Sequence, residues 1–212
     1  MDTSKVLNLV LAVALVVLSV KITFFDKDKT GETLQADSSS VIIDNIMTRT
    51  SVRSYTDKSV EDEKIELILK AGMAAPTARN KQPWVFIVVN DKELLTQMAD
   101  SLPYAKMAAQ ASVAIVACGD LSKALEGDAA AYWIQDVSAA TENILLAAHG
   151  LGLGAVWTGV YPIKERMNTV CRILNLPENI VPLNVIPVGY PKENPVPKDK
   201  WKKENVYYNA YK

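Results

Sequence analysis

From residue 6 to residue 20 the chain is almost wholly Val, Leu and Ala, interrupted by Asn8 and Ser19, and residues 22–25 extend the apolar run past Lys21. Nothing amphipathic breaks this stretch, which predicts a membrane-directed segment rather than the surface helix of a packed domain. Counted to Phe25 it reaches about the twenty residues that cross a bilayer, and counted to Val20 it has the length of a signal-peptide core. Lys21-Ile22-Thr23-Phe24-Phe25 follows in place of the small residues of a secretory cleavage site, and no cysteine offers a lipoprotein site. The expectation is an uncleaved single-pass anchor over 1–25, with a cleaved signal as the alternative. Lys5 on one side and Lys21, Lys27 and Lys29 on the other assign no membrane face. Residues 26–40, rich in Lys, Asp, Gly and Ser, read as a flexible polar linker.

Past the linker the pattern changes to alternating helices and strands. A short helix is expected over 41–47. In 60–73, Ile65, Ile68, Leu69 and Gly72 recur on one helical face, and Pro76 ends the helix. Residues 84–89 and 113–118 are short, continuous apolar runs, which predict strands buried on both faces. Asp128 is expected to cap a long alanine-rich helix reaching about Gly150, with Trp133, Val137, Ile144 and Leu145 toward the core. A strand over 152–159, a helix over 163–174 and a strand over 183–188 complete the pattern before a Pro- and Lys-rich tail. Helices and strands interleaved around a small central sheet predict an α+β fold, an α/β sandwich, with 41–212 as one domain.

Composition narrows the chemistry. With 23 basic and 24 acidic residues in 212 the formal net charge is −1, which gives no electrostatic reason for a nucleic-acid partner and suits a small ligand. Cys118 and Cys171 lie far apart in apolar contexts, without zinc-site spacing or the density of a disulfide scaffold, and read as core residues. The single histidine, His149, ends an apolar helix before Gly150, where a packing or helix-terminal role is expected. No Gly-x-Ser-x-Gly elbow, metal-ligand cluster or Gly-x-Gly-x-x-Gly turn is present, so hydrolysis by a triad, metal chemistry and a separate dinucleotide fold have no support. An enzyme without an evident acid, base or metal still does hard chemistry when a cofactor carries it. No side chain is assigned a catalytic role of its own.

Two segments carry ligand chemistry. Arg49-Thr50-Ser51-Val52-Arg53 sets two guanidinium groups and two hydroxyls within five residues, donors suited to a phosphate and an attached polyol. Ala75-Pro76-Thr77-Ala78-Arg79-Asn80-Lys81-Gln82-Pro83-Trp84 places polar side chains in a Pro-bounded loop before an apolar strand. With Gly152-Leu153-Gly154-Ala155-Val156-Trp157-Thr158-Gly159, Val188-Gly189-Tyr190-Pro191 and Pro197-Lys198-Asp199-Lys200-Trp201, in this order over 41–212, the chain resembles the nitroreductase family of flavin enzymes.

The resemblance implies an FMN site and an intertwined homodimer with the flavin at the subunit interface, reached by the tail over 194–212. It implies that Arg49 holds the phosphate beside Thr50, Ser51 the phosphate or ribityl chain, and Arg53 the pyrimidine side of the ring. Asn80 and Gln82, in the loop of Pro76 and Thr77, would meet the ring edge or ribityl; Thr77 keeps the hydroxyl where many relatives carry serine. Trp84 is expected in the core. Trp157, Thr158 and Gly159 would lie at the redox centre, and Lys198 and Lys200 at the phosphate, Lys200 replacing the commoner arginine and losing its bidentate fork. The implied activity is hydride transfer from NADH or NADPH through FMN to a small electron-poor acceptor such as a nitroaromatic or quinone. Flavin destruction and reductive dehalogenation on the same scaffold, or a non-catalytic flavin-binding membrane protein, are the alternatives.

Overall fold

The computed structural model describes residues 40–193 and 195–211. The chain divides into two units, Met1–Ile46 and Met47–Lys212. The first is described over 40–46, which are helical; the helix, α1, runs over 40–48, so Ser40 belongs to it and not to a linker. The anchor expected over 1–25 and nearly all of the linker lie outside the described residues. Among the described residues no helix is long and apolar enough to cross a membrane. On this finding the single-pass membrane localisation is corrected and withdrawn.

The second unit is built on one antiparallel sheet with strand order β1 (Trp84–Val89), β2 (Val113–Asp120), β5 (Ile180–Gly189), β3 (Gly154–Ala155), and with β4 (Thr158–Gly159) also paired to β5. All eight residues of β2 are buried, as its continuous apolar run predicts for a central strand. Strand β1 instead lies at the sheet edge, and Val88 is 37 % exposed, so burial on both faces fails there. An apolar run alone does not distinguish an edge strand from a central one.

Alternation along β2 sorts the two halves of the core. Val113, Ile115 and Ala117 pack with Trp133, Val137, Ile144 and Leu145 of α4 (Tyr132–Gly150) and with Ile68 of α2 (Asp62–Met73). Ala114, Val116 and Cys118 pack on the other face with Leu95 and Met98 of α3 (Lys92–Ser101) and Val170 of α5 (Lys164–Leu174). The result is a helix–sheet–helix sandwich. Burial pushes the Cys118 thiol up to about 12, so it stays protonated and serves packing.

Helix boundaries follow local chemistry. Asp62 and Glu63 in the first turn of α2 and Lys70 in its last complement the helix dipole. The unanticipated α3 starts at an ordinary signal, Asp91, whose carboxylate accepts a hydrogen bond from Leu94 N at 2.9 Å. Asp128 does not cap α4: it sits in a short 3-10 turn, Gly127–Ala129, and α4 begins after Ala131 without a side-chain cap. The strand expected over 152–159 is broken into β3 and β4, with Gly152 at φ +75° supplying the left-handed turn that ends α4.

One glycine marks the tightest contact between layers. A Cβ built on Gly119 would lie 2.3 Å from Cε3 of Trp133, the backbone of β2 meeting the indole face of α4. Gly119→Ala is expected to lower unfolding stability by about 1–3 kcal/mol through overpacking, read as a lower urea midpoint at unchanged slope.

Candidate functional site

The segment 51–56 has almost no regular structure of its own, and the sheet edge holds it. Gly154 makes this possible, because a Cβ there would lie 2.6 Å from Val52 Cγ1. With that space free, Ser51 pairs with Ala155 in a parallel bridge, and Val52 N donates to the Ala155 carbonyl at 3.0 Å. Buried Tyr55 fastens the other end, its hydroxyl lying 2.7 Å from the Val52 carbonyl and 3.1 Å from that of Pro187. Thr56 N donates to the Tyr190 carbonyl at 2.9 Å.

Arg49, Thr50, Ser51 and Arg53 are thereby brought together with Lys198 and Lys200 of the tail around a cavity of about 370 Å³, closed by Pro195 and Val196. Among the described residues four cations and two hydroxyls line it, and no carboxylate does. The Thr50 hydroxyl oxygen is buried without a hydrogen-bond partner among the described residues. Such a donor set wants an anion with several oxygens.

Helix α4 steadies this cluster from behind. Arg49, 17 % exposed, places Nε 3.3 Å from Glu142, and the adjacent Thr48 hydroxyl lies 3.0 Å from Nε2 of His149, seven residues further along α4. Burial first, and the charge of Arg49 second, hold the His149 imidazole below its ordinary pKa.

Arg53 also lines a second cavity, of about 500 Å³, with Trp157, Thr158 and Gly159. Thr158 is fixed by donating from its hydroxyl to the Val185 carbonyl at 2.6 Å, whereas Trp157, in the gap between β3 and β4, is 37 % exposed. Val156 adds to the wall, and the rest of it comes from Pro103, Tyr104, Lys106 and Met107, between α3 and β2. Sequence reasoning missed these four; their only signal was a Pro-Tyr pair and a lysine in an otherwise alanine-rich connection.

Pro76, Thr77, Asn80 and Gln82 lie elsewhere. Ala78 N donates to Asp136 at 2.9 Å, Gln82 N to the Thr77 hydroxyl at 3.2 Å, and the Gln82 amide to Asn80 Oδ1 at 3.0 Å. Arg79, Asn80 and Gln82 all have positive φ, and Asn80 and Gln82 are exposed. The loop leads into Trp84, a buried core residue as expected, which pairs with Gly119, whereas Ala155 and Val188 align with Val113 at the other end of β2. Six residue steps separate those rows, about 20 Å along the strands, and the loop adjoins β1 while Arg49 and Ser51 adjoin β3. Within one chain the loop and the cationic cavity therefore occupy opposite corners of the sheet.

A helix-flanked antiparallel sheet thus carries a cationic, hydroxyl-lined cavity that shares Arg53 with a neighbouring aromatic one, in an α+β protein. The nitroreductase family model matches residues 46–102 and 99–190, and the chain belongs to that family. A protein of Methanothermobacter thermautotrophicus assigned as an NADH dehydrogenase/NAD(P)H nitroreductase is 45 % identical over 171 residues, 80 % of this chain and 87 % of the relative. The crystal structure of a protein from Bacteroides thetaiotaomicron with the same assignment has a TM-score of 0.76 at 50 % identity, covering 80 % of this chain and 98 % of that one. A protein of Desulfovibrio desulfuricans assigned as a nitroreductase and solved in complex with FMN has a TM-score of 0.69 at 31 % identity, covering 81 % and 98 %.

The His149 contact has a pH signature. The unfolded chain takes up a proton near the ordinary imidazole value of 6.5, while the folded state resists until lower pH. Unfolding then gains protons, so stability falls as pH drops from 6.5 toward the depressed folded value and is unaffected above it. Urea midpoints measured across that window should fall slightly with pH in the wild type, and this slope should vanish in His149→Gln, which keeps a partner for Thr48.

Proposed function

We propose that the protein is an FMN-dependent NAD(P)H oxidoreductase whose catalytic domain spans 41–212 and whose acceptor is a small electron-poor compound such as a nitroaromatic or quinone. One observation carries this reading: Arg49, Ser51, Lys198 and Lys200 surround one cavity, and Arg53 joins it to a second lined by Trp157, Thr158 and Gly159. The residues fit the cofactor. Among the described residues the cation set includes no carboxylate, which suits the phosphate, and the buried Thr50 hydroxyl has no hydrogen-bond partner, which suits an oxygen-rich ligand; the aromatic cavity suits a flat ring.

The chemistry that FMN supplies when bound is acceptance of a hydride from the nicotinamide and delivery of the electrons to the acceptor. Arg49, paired with Glu142, would hold phosphate charge with Lys198 and Lys200. Arg53 and Lys106 place positive charge in the aromatic cavity, where they would stabilise negative charge gained by the bound group on reduction. Thr158, locked to Val185, fixes the backbone of β4 at the same wall.

The exposed loop of Pro76, Thr77, Asn80 and Gln82 completes the site from a second copy of the chain, because its own cationic cavity is out of reach at the opposite corner. The exposed aromatics of the tail, Trp201, Tyr208 and Tyr211, support a homodimer in which the tail is covered by the partner.

Purified protein should be yellow, and NADH or NADPH under anaerobic conditions should bleach the flavin spectrum; a protein that binds no added FMN refutes the proposal. Arg49→Ala should weaken FMN binding by roughly 1.5–3 kcal/mol and recover turnover in excess FMN, since the phosphate charge is constant through the reaction. Arg53→Ala should lower the flavin midpoint potential and slow reduction even at saturating FMN, which spectroelectrochemistry reads directly.

The shared site gives a complementation test. Arg49→Ala copies and Asn80→Ala/Gln82→Ala copies should each be impaired, yet mixed dimers contain one intact site and should regain activity on co-refolding. A mixture no more active than its parents would place the loop and the cations in unrelated sites.

A further inference from the structure

A third cation, supplied by α5, contacts two residues that line the aromatic cavity. Arg166 donates from a terminal guanidinium nitrogen to the Gly159 carbonyl at 3.1 Å, and its guanidinium carbon lies 5.1 Å from the centroid of the Tyr104 ring. Both partners line the cavity. Arginine carries five N–H donors in a rigid fork, and a single one is accounted for by Gly159. Among the described residues Arg166 makes no ion pair, although Glu165 is its neighbour in sequence. Among the described residues the cavity lining holds Arg53 and Lys106 and no carboxylate. An arginine stacked on an aromatic ring is held in place with its remaining donors still available, the arrangement suited to bidentate recognition of an acid.

We infer that Arg166 is a specificity-determining residue that recognises an anionic group, a carboxylate or phosphate, on the substrate entering the cavity beside Tyr104 and Trp157. The inference rests on the flavin oxidoreductase reading above and names the substrate class for that same site: a planar, electron-poor aromatic bearing an acid substituent. The aromatic walls take the ring and the guanidinium takes the acid. Phosphates of the nicotinamide dinucleotide carry the same chemistry, so reductant and acceptor must be separated by experiment.

The test uses full-length, FMN-loaded wild type, Arg166→Gln and Arg166→Lys. Values of kcat/KM are measured for 4-nitrobenzoate and for its methyl ester at fixed reductant, and for NADH and NADPH at fixed methyl ester. Benzoate binding to the oxidised protein is measured by calorimetry. Arg166→Gln should lower kcat/KM for 4-nitrobenzoate about ten-fold or more beyond its effect on the ester, chiefly through KM, with a parallel loss of benzoate affinity that Arg166→Lys partly restores. A selective loss toward NADH and NADPH, with 4-nitrobenzoate and ester affected alike, would assign the anion to the reductant's phosphates and still support recognition by Arg166. Equal losses for every substrate with benzoate binding unchanged would overturn the inference and leave Arg166 as a brace for Gly159 and Tyr104. Wild type that reduces neither nitro compound with NAD(P)H would overturn the underlying oxidoreductase reading instead.

Discussion

The contact on which the site depends is the seating of Val52 over Gly154, where the missing side chain lets an irregular segment lie against a two-residue strand. Everything from Ser51 to Tyr55 takes its position from this approach. The Ser51–Ala155 bridge and the Val52–Ala155 hydrogen bond form because the backbones meet, and Tyr55 closes the segment by bonding both Val52 and Pro187. Gly189 repeats the device one strand over, since a Cβ there would lie 3.1 Å from the Tyr55 ring. Two glycines thus do for a loop what hydrogen-bond ladders do for a strand: they let residues with little regular structure stand at fixed positions.

Local and global electrostatics point in opposite directions. The chain as a whole is close to neutral, yet Arg49, Arg53, Lys198 and Lys200 share one small cavity. Their mutual repulsion is eased by Glu142, which pairs with Arg49 and is not among the residues lining the cavity. A counter-charge outside the lining lowers the cost of assembling the cations while leaving the lining itself suited to an anion. His149 fits the same arrangement: burial first, and the Arg49 charge second, hold its pKa down, and the neutral imidazole adds no further positive charge near Arg49.

Much of this was legible in the sequence, and the misses have physical reasons. Ile65, Ile68, Leu69 and Gly72 announced α2 because a helix repeats its buried face every three to four residues, and the unbroken run at 113–118 announced a central strand. The edge position of β1 was hidden because it depends on which strands lie beside it, information absent from the strand itself. Asp128 was assigned to a cap on residue type alone, and the chain takes a 3-10 turn there first. Arg49, Thr50, Ser51, Arg53, Lys198 and Lys200 line one cavity, a grouping expected only from the family resemblance, but Tyr104 and Lys106 escaped notice because nothing local marks a residue that tertiary packing alone brings to a cavity. The loop at 76–82 was read as part of the same site, and its place at the far corner became visible only through strand register.

That register carries the argument for assembly. Arg79, Asn80 and Gln82 hold left-handed backbone angles, which non-glycine residues adopt at some cost, and the cross-bonds among Thr77, Asn80, Gln82 and Asp136 maintain a shape that places two amides in solvent. In the proposed FMN site this supported loop would meet the ligand, yet the cation cluster of its own chain is a sheet's length away. The homodimer proposed above would resolve the conflict, because an isologous pair can bring each chain's loop to the other's cavity and make two equivalent sites from two incomplete halves.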